Sequence, residues 1–275
     1  MLKKKKIKIG IVGCGAIGSF LAKTIATDLS RYASLSGLYD INIKKACLLA
    51  RGIGKSGILT LSLDDLIKKS DLVIEATILE SAFDIVSKVL KTSRDVMVMS
   101  VGGIVNQLEE LKLIALKRGV NIFIPSGAIC GIDGLKASGC GKIKKVTLIT
   151  TKPAYAFVDV PYIAKKKIRL KGLKKETVIF EGTARQAIRA FPKNINVAAT
   201  LSLAGIGVDK TTVRIIASGR THINTHQIEI ESTAGKVITR TENIPHPDNP
   251  KTSYLAALSA VATLRQILEP VKIGT

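Results

Sequence analysis

Apolar positions in the first half of the chain come as short runs separated by amphipathic stretches. Residues 7–12, 33–40, 71–76, 96–100 and 121–124 are compact and mostly apolar, as strands buried on both faces are. Between them, residues 19–25, 43–51, 61–69, 81–90 and 108–118 repeat apolar side chains at helical spacing. In one of these, Phe83, Val86, Val89 and Leu90 fall on a single face. Strand and helix alternating in this way predicts an α/β domain with a doubly wound parallel sheet and helices on both sides. In such sheets a ligand sits at the carboxyl ends of the strands.

From Pro125 the pattern changes. Residues 144–151, 177–180, 211–217, 223–232 and 236–242 read as strands, several with period-two alternation. Helical spacing is confined to 183–190 and 194–204. That predicts a second, α+β domain with an open mixed sheet. The stretch Asn249-Pro250-Lys251-Thr252-Ser253 is expected to start a last helix over 254–268, with Thr252 or Ser253 as its cap. The expected organisation is a Rossmann domain over 1–125, with the helix of 250–275 packing back on it. Residues 126–249 then form a substrate and dimerisation domain.

The first strand runs directly into Gly13-Cys14-Gly15-Ala16-Ile17-Gly18, and a helix follows. Strand, G-x-G-x-x-G and helix in that order form the dinucleotide-binding fingerprint. Gly13 permits the tight turn, Gly15 lets a pyrophosphate approach the backbone, and Gly18 lets the helix pack on the strand. The N–H groups at the helix start, around Ala16 and Ile17, face phosphate charge at the positive end of the helix dipole. The second strand ends in Asp40, roughly 20 residues beyond the motif, where an acidic residue meets the adenosine ribose. A carboxylate there favours NAD over NADP. Lys44 and Lys45 follow closely and keep NADP open as a partner.

Composition narrows the class. The chain has 275 residues, of which 46% are hydrophobic, enough for a substantial core in one large or two modest domains. It has no apolar run of membrane-spanning length and no cleavable signal pattern after Met1-Leu2-Lys3-Lys4-Lys5-Lys6, so a cytoplasmic protein is expected. Cys14, Cys47, Cys130 and Cys140 form no C-x-x-C pair and read as reduced thiols. Cys130 is a candidate nucleophile without an evident activating partner. No His, Cys and carboxylate cluster has the spacing of a metal site. The net charge of +21 comes largely from lysine blocks such as Lys165-Lys166-Lys167. Aromatic residues, at 4%, are not interleaved with them as a base-stacking surface requires. The excess is therefore read as a solvated basic surface that draws in anionic substrates, with no nucleic-acid partner.

Three places carry candidate chemistry. His222, His226 and His246 are the histidines. His226 lies in Asn224-Thr225-His226-Gln227-Ile228-Glu229-Ile230, sharing strand parity with Ile228 and Ile230, and is a candidate acid or base. Lys193, Asn194 and Asn196 lead into the small-residue helix of the second domain. Lys193 is a candidate cation for a carboxylate. Asn194 is an N-cap or substrate contact, and Asn196 is a candidate donor to a carboxamide or to substrate. Finally, Pro125-Ser126-Gly127-Ala128-Ile129-Cys130-Gly131 follows a strand of the first domain and is expected at the edge of the binding cleft.

Taken together, these elements resemble the L-aspartate dehydrogenase family of the archaeal and bacterial NAD-biosynthesis type. The resemblance rests on Gly13 to Gly18, Ser126-Gly127-Ala128-Ile129, Phe191-Pro192-Lys193-Asn194-Ile195-Asn196-Val197-Ala198-Ala199-Thr200, Asn224-Thr225-His226 and Asn249-Pro250-Lys251-Thr252-Ser253-Tyr254. It spans nearly the whole chain. It implies a homodimer that oxidises L-aspartate to iminoaspartate with NAD or NADP, the imine going on to quinolinate or hydrolysing to oxaloacetate and ammonia. It also implies that His226 is the catalytic histidine and that Ala128 and Asn196 contact the cofactor. The two carboxylates of such a substrate need cations or N–H donors, for which Lys193 is the first candidate and the Ser126-Gly127-Ala128 backbone the second, with Asn194 beside Lys193. Gln227 departs from the glutamate expected after the histidine. If that carboxylate tuned the imidazole, its loss lowers the pKa of His226. A homoserine-type or other amino-acid dehydrogenase is the alternative, and an NADH-sensing nucleic-acid-binding regulator a more distant one.

Overall fold

The computed structural model describes residues 5–192, 196–247 and 249–274, with backbone alone at 249–251. The chain divides into two compact units, one formed by residues 1–125 with 257–273 and the other by 126–256.

The first unit contains, in chain order, β1 (Ile7–Val12), α1 (Ala16–Ala26), β2 (Ala33–Tyr39), α2 (Ile43–Gly52), α3 (Leu63–Lys69), β3 (Leu72–Glu75), α4 (Leu79–Lys91), β4 (Asp95–Val98), α5 (Leu108–Arg118) and β5 (Ile122–Phe123). Its strands are all parallel, in the order β2-β1-β3-β4-β5. The two-sided burial expected of a parallel sheet is met by Ile9, Ile11, Val73, Ile74, Val96, Met97 and Val98, all fully buried. Local signals fix the helix starts. Asn42 accepts a hydrogen bond from the Lys44 N–H at the head of α2, and Ser62 accepts one from the Asp65 N–H at the head of α3. Gly119, in the left-handed region, ends α5.

The second unit holds α6 (Ile132–Gly139), β6 (Ile143–Pro153), α7 (Pro161–Lys165), β7 (Thr177–Thr183), α8 (Ala184–Ala190), α9 (Asn196–Ala204), β8 (Thr212–Ser218), β9 (Asn224–Ser232), β10 (Gly235–Asn243), β11 (Pro245–His246) and β12 (Asn249–Ser253). Helix α10 (Tyr254–Leu268) follows, and from Ala257 onward it belongs to the first unit. There Ala260, Leu264 and Leu268 join the core of Ile9, Leu21, Ile25 and Leu35. The main sheet of the second unit is mixed, ordered β10-β9-β6-β8-β7, with β6 and β8 parallel and the other pairs antiparallel. Alternation puts Val146, Leu148, Val213, Ile215, Ile228 and Ile230 on the buried face. The other face carries Lys145, Arg214, Gln227 and Glu229, none of them buried. On it, Arg214 and the cross-strand Glu181 form a half-exposed ion pair of 2.9 Å, a geometry worth little to stability. Thr183 and Gln186 close a reciprocal capping box at the start of α8.

Two expectations are corrected. Helices of the second unit are not confined to 183–190 and 194–204, since α6 and α7 lie outside those stretches. Glycines at 134 and 139 weaken the helical signal of α6, and α7 is a single five-residue turn begun by Pro161. The last helix runs over Tyr254–Leu268 as expected, but residues 249–253 before it form β12, which returns antiparallel on β11.

Candidate functional site

The glycine loop has the architecture that its spacing predicts. Gly13 sits at φ +96°, where an L side chain is strained, and a Cβ there would collide with the Ala76 carbonyl. A Cβ at Gly18 would collide with the carbonyl oxygen of Gly13, so α1 lies against the turn that precedes it. Gly15 is different. It is exposed, and a Cβ on it would meet nothing within 4 Å. Two of the three glycines are thus required by the fold, while the third faces open space, as close approach of a phosphate demands. Gly15 is also the N-cap of α1 and supplies no side-chain acceptor, and the first helical turn carries no acidic residue. The N–H groups of that turn, which Ala16, Ile17 and Gly18 carry, are therefore placed for an anion. These residues fit a dinucleotide.

Asp40 is tied to the loop before any ligand is considered. Its Oδ2 accepts from the Cys14 N–H at 2.7 Å, and its Oδ1 accepts from the Asn42 N–H at 2.8 Å. Each oxygen keeps a second lone pair for a ribose hydroxyl. Burial, and then the Asp40 charge, push the Cys14 thiol up to about 12, so this cysteine is an inert filler of the loop.

Glu75 is a functional candidate that the sequence reading passed over. It ends β3 with no exposed surface. Its Oε1 accepts from the N–H and hydroxyl of Thr77 at 2.7 and 2.6 Å, and its Oε2 accepts from the Ser100 N–H at 3.0 Å. The Ser100 hydroxyl donates to the Thr77 carbonyl at 2.9 Å. One buried carboxylate thereby fixes the loops that leave β3 and β4 at their carboxyl ends. A charged residue closing a wholly apolar strand was the available signal.

In the second unit, His226 lies on the buried face of β9, only 4% exposed. It pairs in register with Thr150 of β6, and the Thr150 hydroxyl and His226 Nδ1 share a hydrogen bond of 3.0 Å. Burial, helped by the Lys152 charge, pushes the imidazole down to about 3, so it is neutral at ordinary pH. Gln227 does not set this value. It points to the opposite face and donates to Glu229 at 2.8 Å, so the idea that a neighbour at 227 tunes the imidazole is replaced by burial and Lys152. Lys152 lies two positions along β6 from Thr150, on the same face, 9% exposed. Burial alone pushes its ammonium down to about 8. A lysine at an inward position, in line with Val146 and Leu148, was the signal that the sequence reading missed.

That shift has a measurable sign. The unfolded chain holds the Lys152 proton more tightly than the folded one, so stability rises with pH between about 8 and 10.5. Below pH 8 the folded state carries the buried charge at a cost of up to about 3 kcal/mol. Stability of the wild type is therefore expected to rise by up to about 3 kcal/mol from pH 7 to pH 10.5 through this group, and Lys152→Met is expected to lose that rise. Denaturant unfolding at the two pH values measures it.

The segment before α6 is shaped by its backbone. Gly127 and Gly131 take φ of +72° and +85°. The carbonyl of buried Ala128 accepts from the Thr241 hydroxyl and from the Asn243 amide, both at 3.0 Å, which anchors the segment on β10. Ser126 is partly exposed beside it, Asn196 is the exposed first residue of α9, and Cys130 and His222 are exposed. Lys193 and Asn194 lie outside the described residues. His246 is buried, edge-on to the Tyr254 ring at 5.3 Å. No group of His, Cys and carboxylates able to hold a metal, and no helix long and apolar enough to cross a membrane, occurs among the described residues.

A parallel five-stranded sheet with a glycine-rich first turn, joined to a mixed sheet bearing a buried histidine, defines the class of two-unit, dinucleotide-dependent oxidoreductases. A family described as "Aspartate dehydrogenase, C-terminal" matches residues 133–267, and one described as "Homoserine dehydrogenase, NAD binding domain" matches 13–125. L-aspartate dehydrogenases of Methanosarcina mazei and Methanosarcina barkeri are 44% and 42% identical over 98% of this chain and all of their own length. The crystal structure of aspartate dehydrogenase from Thermotoga maritima has the same fold, with a TM-score of 0.70 at 24% identity, over 98% of this chain and 100% of that one. The chain belongs to the L-aspartate dehydrogenase family.

Proposed function

We propose that this chain oxidises L-aspartate at Cα to iminoaspartate, using NAD in preference to NADP. The observation that carries the reading is the neutral, buried His226, held by Thr150 in a sheet whose family relatives are L-aspartate dehydrogenases. The bound dinucleotide supplies the hydride acceptor. The turn Gly13 to Gly18 and the head of α1 hold its diphosphate, and Asp40 holds the ribose, where a 2′-phosphate would meet like charge. In the tautomer whose Nδ1–H donates to Thr150, Nε2 of His226 carries the lone pair that takes a proton from the substrate ammonium. A neutral amine is needed before hydride can leave Cα. Ala128 and Asn196 are assigned to the cofactor, and Ser126, Lys193 and Asn194 to substrate. By family likeness the protein is a homodimer, works in the cytoplasm and feeds iminoaspartate to quinolinate synthesis. Four cysteines present as free thiols support the reducing compartment.

The test is absorbance at 340 nm with each cofactor and a panel of amino acids that includes homoserine. A rise with L-aspartate, larger with NAD than with NADP, is expected. A rise with homoserine and none with aspartate overturns the assignment.

A further inference from the structure

We propose that Glu75 is the positioning residue for the nicotinamide half of the bound dinucleotide, locking the loops that leave β3 and β4 into one platform for it. The inference rests on the dinucleotide site of the proposed function and not on the choice of amino-acid substrate. It gives a role to a residue that no sequence motif pointed to.

Strand order sets where the two halves of the dinucleotide go. Asp40 follows β2 and the glycine turn follows β1, and these take the adenosine ribose and the diphosphate. The sheet continues in the order β2-β1-β3-β4, at about 4.8 Å per strand. The nicotinamide half therefore carries on along the carboxyl edge toward the ends of β3 and β4. Glu75 is the last residue of β3 and pairs in register with Val98, the last of β4. The backbone at that point is held without its side chain. The Ala76 N–H donates to the Val12 carbonyl at 2.8 Å, and the Met99 N–H to the Glu75 carbonyl at 2.9 Å. Beyond these bonds both chains leave the sheet, and the Glu75 side chain takes over. One oxygen accepts from the N–H and hydroxyl of Thr77, the other from the N–H of Ser100. The Ser100 hydroxyl donates to the Thr77 carbonyl, which closes a ring between the two loops. Thr77 Oγ1 also lies 2.9 Å from Ser81 Oγ in the first turn of α4, so the head of that helix shares the network. Farther along the β4 loop, a Cβ on Gly103 would collide with the Leu79 carbonyl, so the two loops pack backbone against backbone. Glu75 has no exposed surface, so it acts through these loops rather than by touching a ligand. Its burial is offset while those three donors stay in place, and all three belong to the loops. The carboxylate thus makes the position of each loop depend on the other.

ADP, which carries the adenosine and the diphosphate but no nicotinamide, separates the two halves. Its Kd is measured calorimetrically and that of NADH by fluorescence titration, without amino acid, on wild type, Glu75→Gln, Thr77→Val and Thr77→Ser. Thermal melts check folding. In Glu75→Gln the amide keeps one acceptor oxygen and turns its NH2 toward a donor, so one loop is released. That variant is expected to bind NADH about tenfold more weakly, with its Kd for ADP within about twofold of wild type. Thr77→Val removes one of the three donors and is expected to weaken NADH about fivefold in the same selective way. Thr77→Ser restores the hydroxyl and is expected to bind both nucleotides within about twofold of wild type. Glu75→Gln that binds NADH as well as wild type, equal losses for NADH and ADP, or Thr77→Ser as weak as Thr77→Val each overturns the assignment. If Glu75→Gln fails to fold, the two Thr77 variants decide. Wild type that binds neither nucleotide overturns the dinucleotide reading and this assignment with it. Turnover of L-aspartate by wild type is scored separately, so failure of the substrate reading is distinguishable from failure of Glu75.

Discussion

Replacing His226 with alanine is expected to lower kcat for L-aspartate oxidation by about 10²-fold or more, while the Kd for NAD changes by less than about twofold. The split follows from where the residue sits. His226 is on β9 in the second unit, whereas the glycine turn and Asp40 belong to the first. Removing the imidazole takes away the acceptor for the ammonium proton and leaves Thr150 without its partner. The remaining dehydrogenase must rely on the fraction of aspartate whose amine is already neutral. The variant's rate should therefore climb with pH across the range in which the amine titrates, where wild type has levelled off. Steady-state kinetics from pH 7 to 10 together with fluorescence titration of NADH read both quantities. A variant with unchanged kcat removes His226 from the mechanism.

The second large effect separates two glycines only three residues apart. Gly18→Ala is expected to destabilise the protein by about 3 kcal/mol or more, because its Cβ lands on the Gly13 carbonyl and that backbone has nowhere to retreat. Gly15→Ala should melt within about 1 kcal/mol of wild type, since its Cβ enters open space. It should nonetheless bind NAD about tenfold or more weakly, because the methyl occupies the approach to the phosphate. Thermal melts and NAD titration of both variants give a crossed result, with stability lost at one glycine and affinity at the other. Equal losses of affinity without loss of stability would show that the collision at Gly18 is relieved by movement of α1.

How much of this was readable beforehand depended on whether a residue's role is local. The glycine turn was, because strand, turn and helix are contiguous and each glycine answers to its neighbours. The first sheet was, because buried parallel strands are apolar throughout. The parity of β9 placed His226 with Ile228 and Ile230 on the buried face. Lys152 and Glu75 escaped because their meaning is tertiary. A lysine in a strand reads as an outward residue until the register sets it beside His226. A glutamate after an apolar run reads as a strand end until Thr77 and Ser100 close on it. The helix α6 escaped for a different reason, its glycines giving weak propensity that packing overrides. At β12, proline and polar residues looked like a helix start, although their partners are on β11.

The last helix has a consequence for how the protein is made. Ala260, Leu264 and Leu268 complete the hydrophobic centre around α1 and β2, yet they are synthesised after every residue of the second unit. While the chain is still emerging from the ribosome, the nascent sheet of the first unit therefore has a bare apolar flank, and an arrest in translation anywhere before residue 257 leaves it so. The second unit is contiguous in sequence, so the hydrophobic core of the nucleotide-binding half is completed only after the whole second unit has been made.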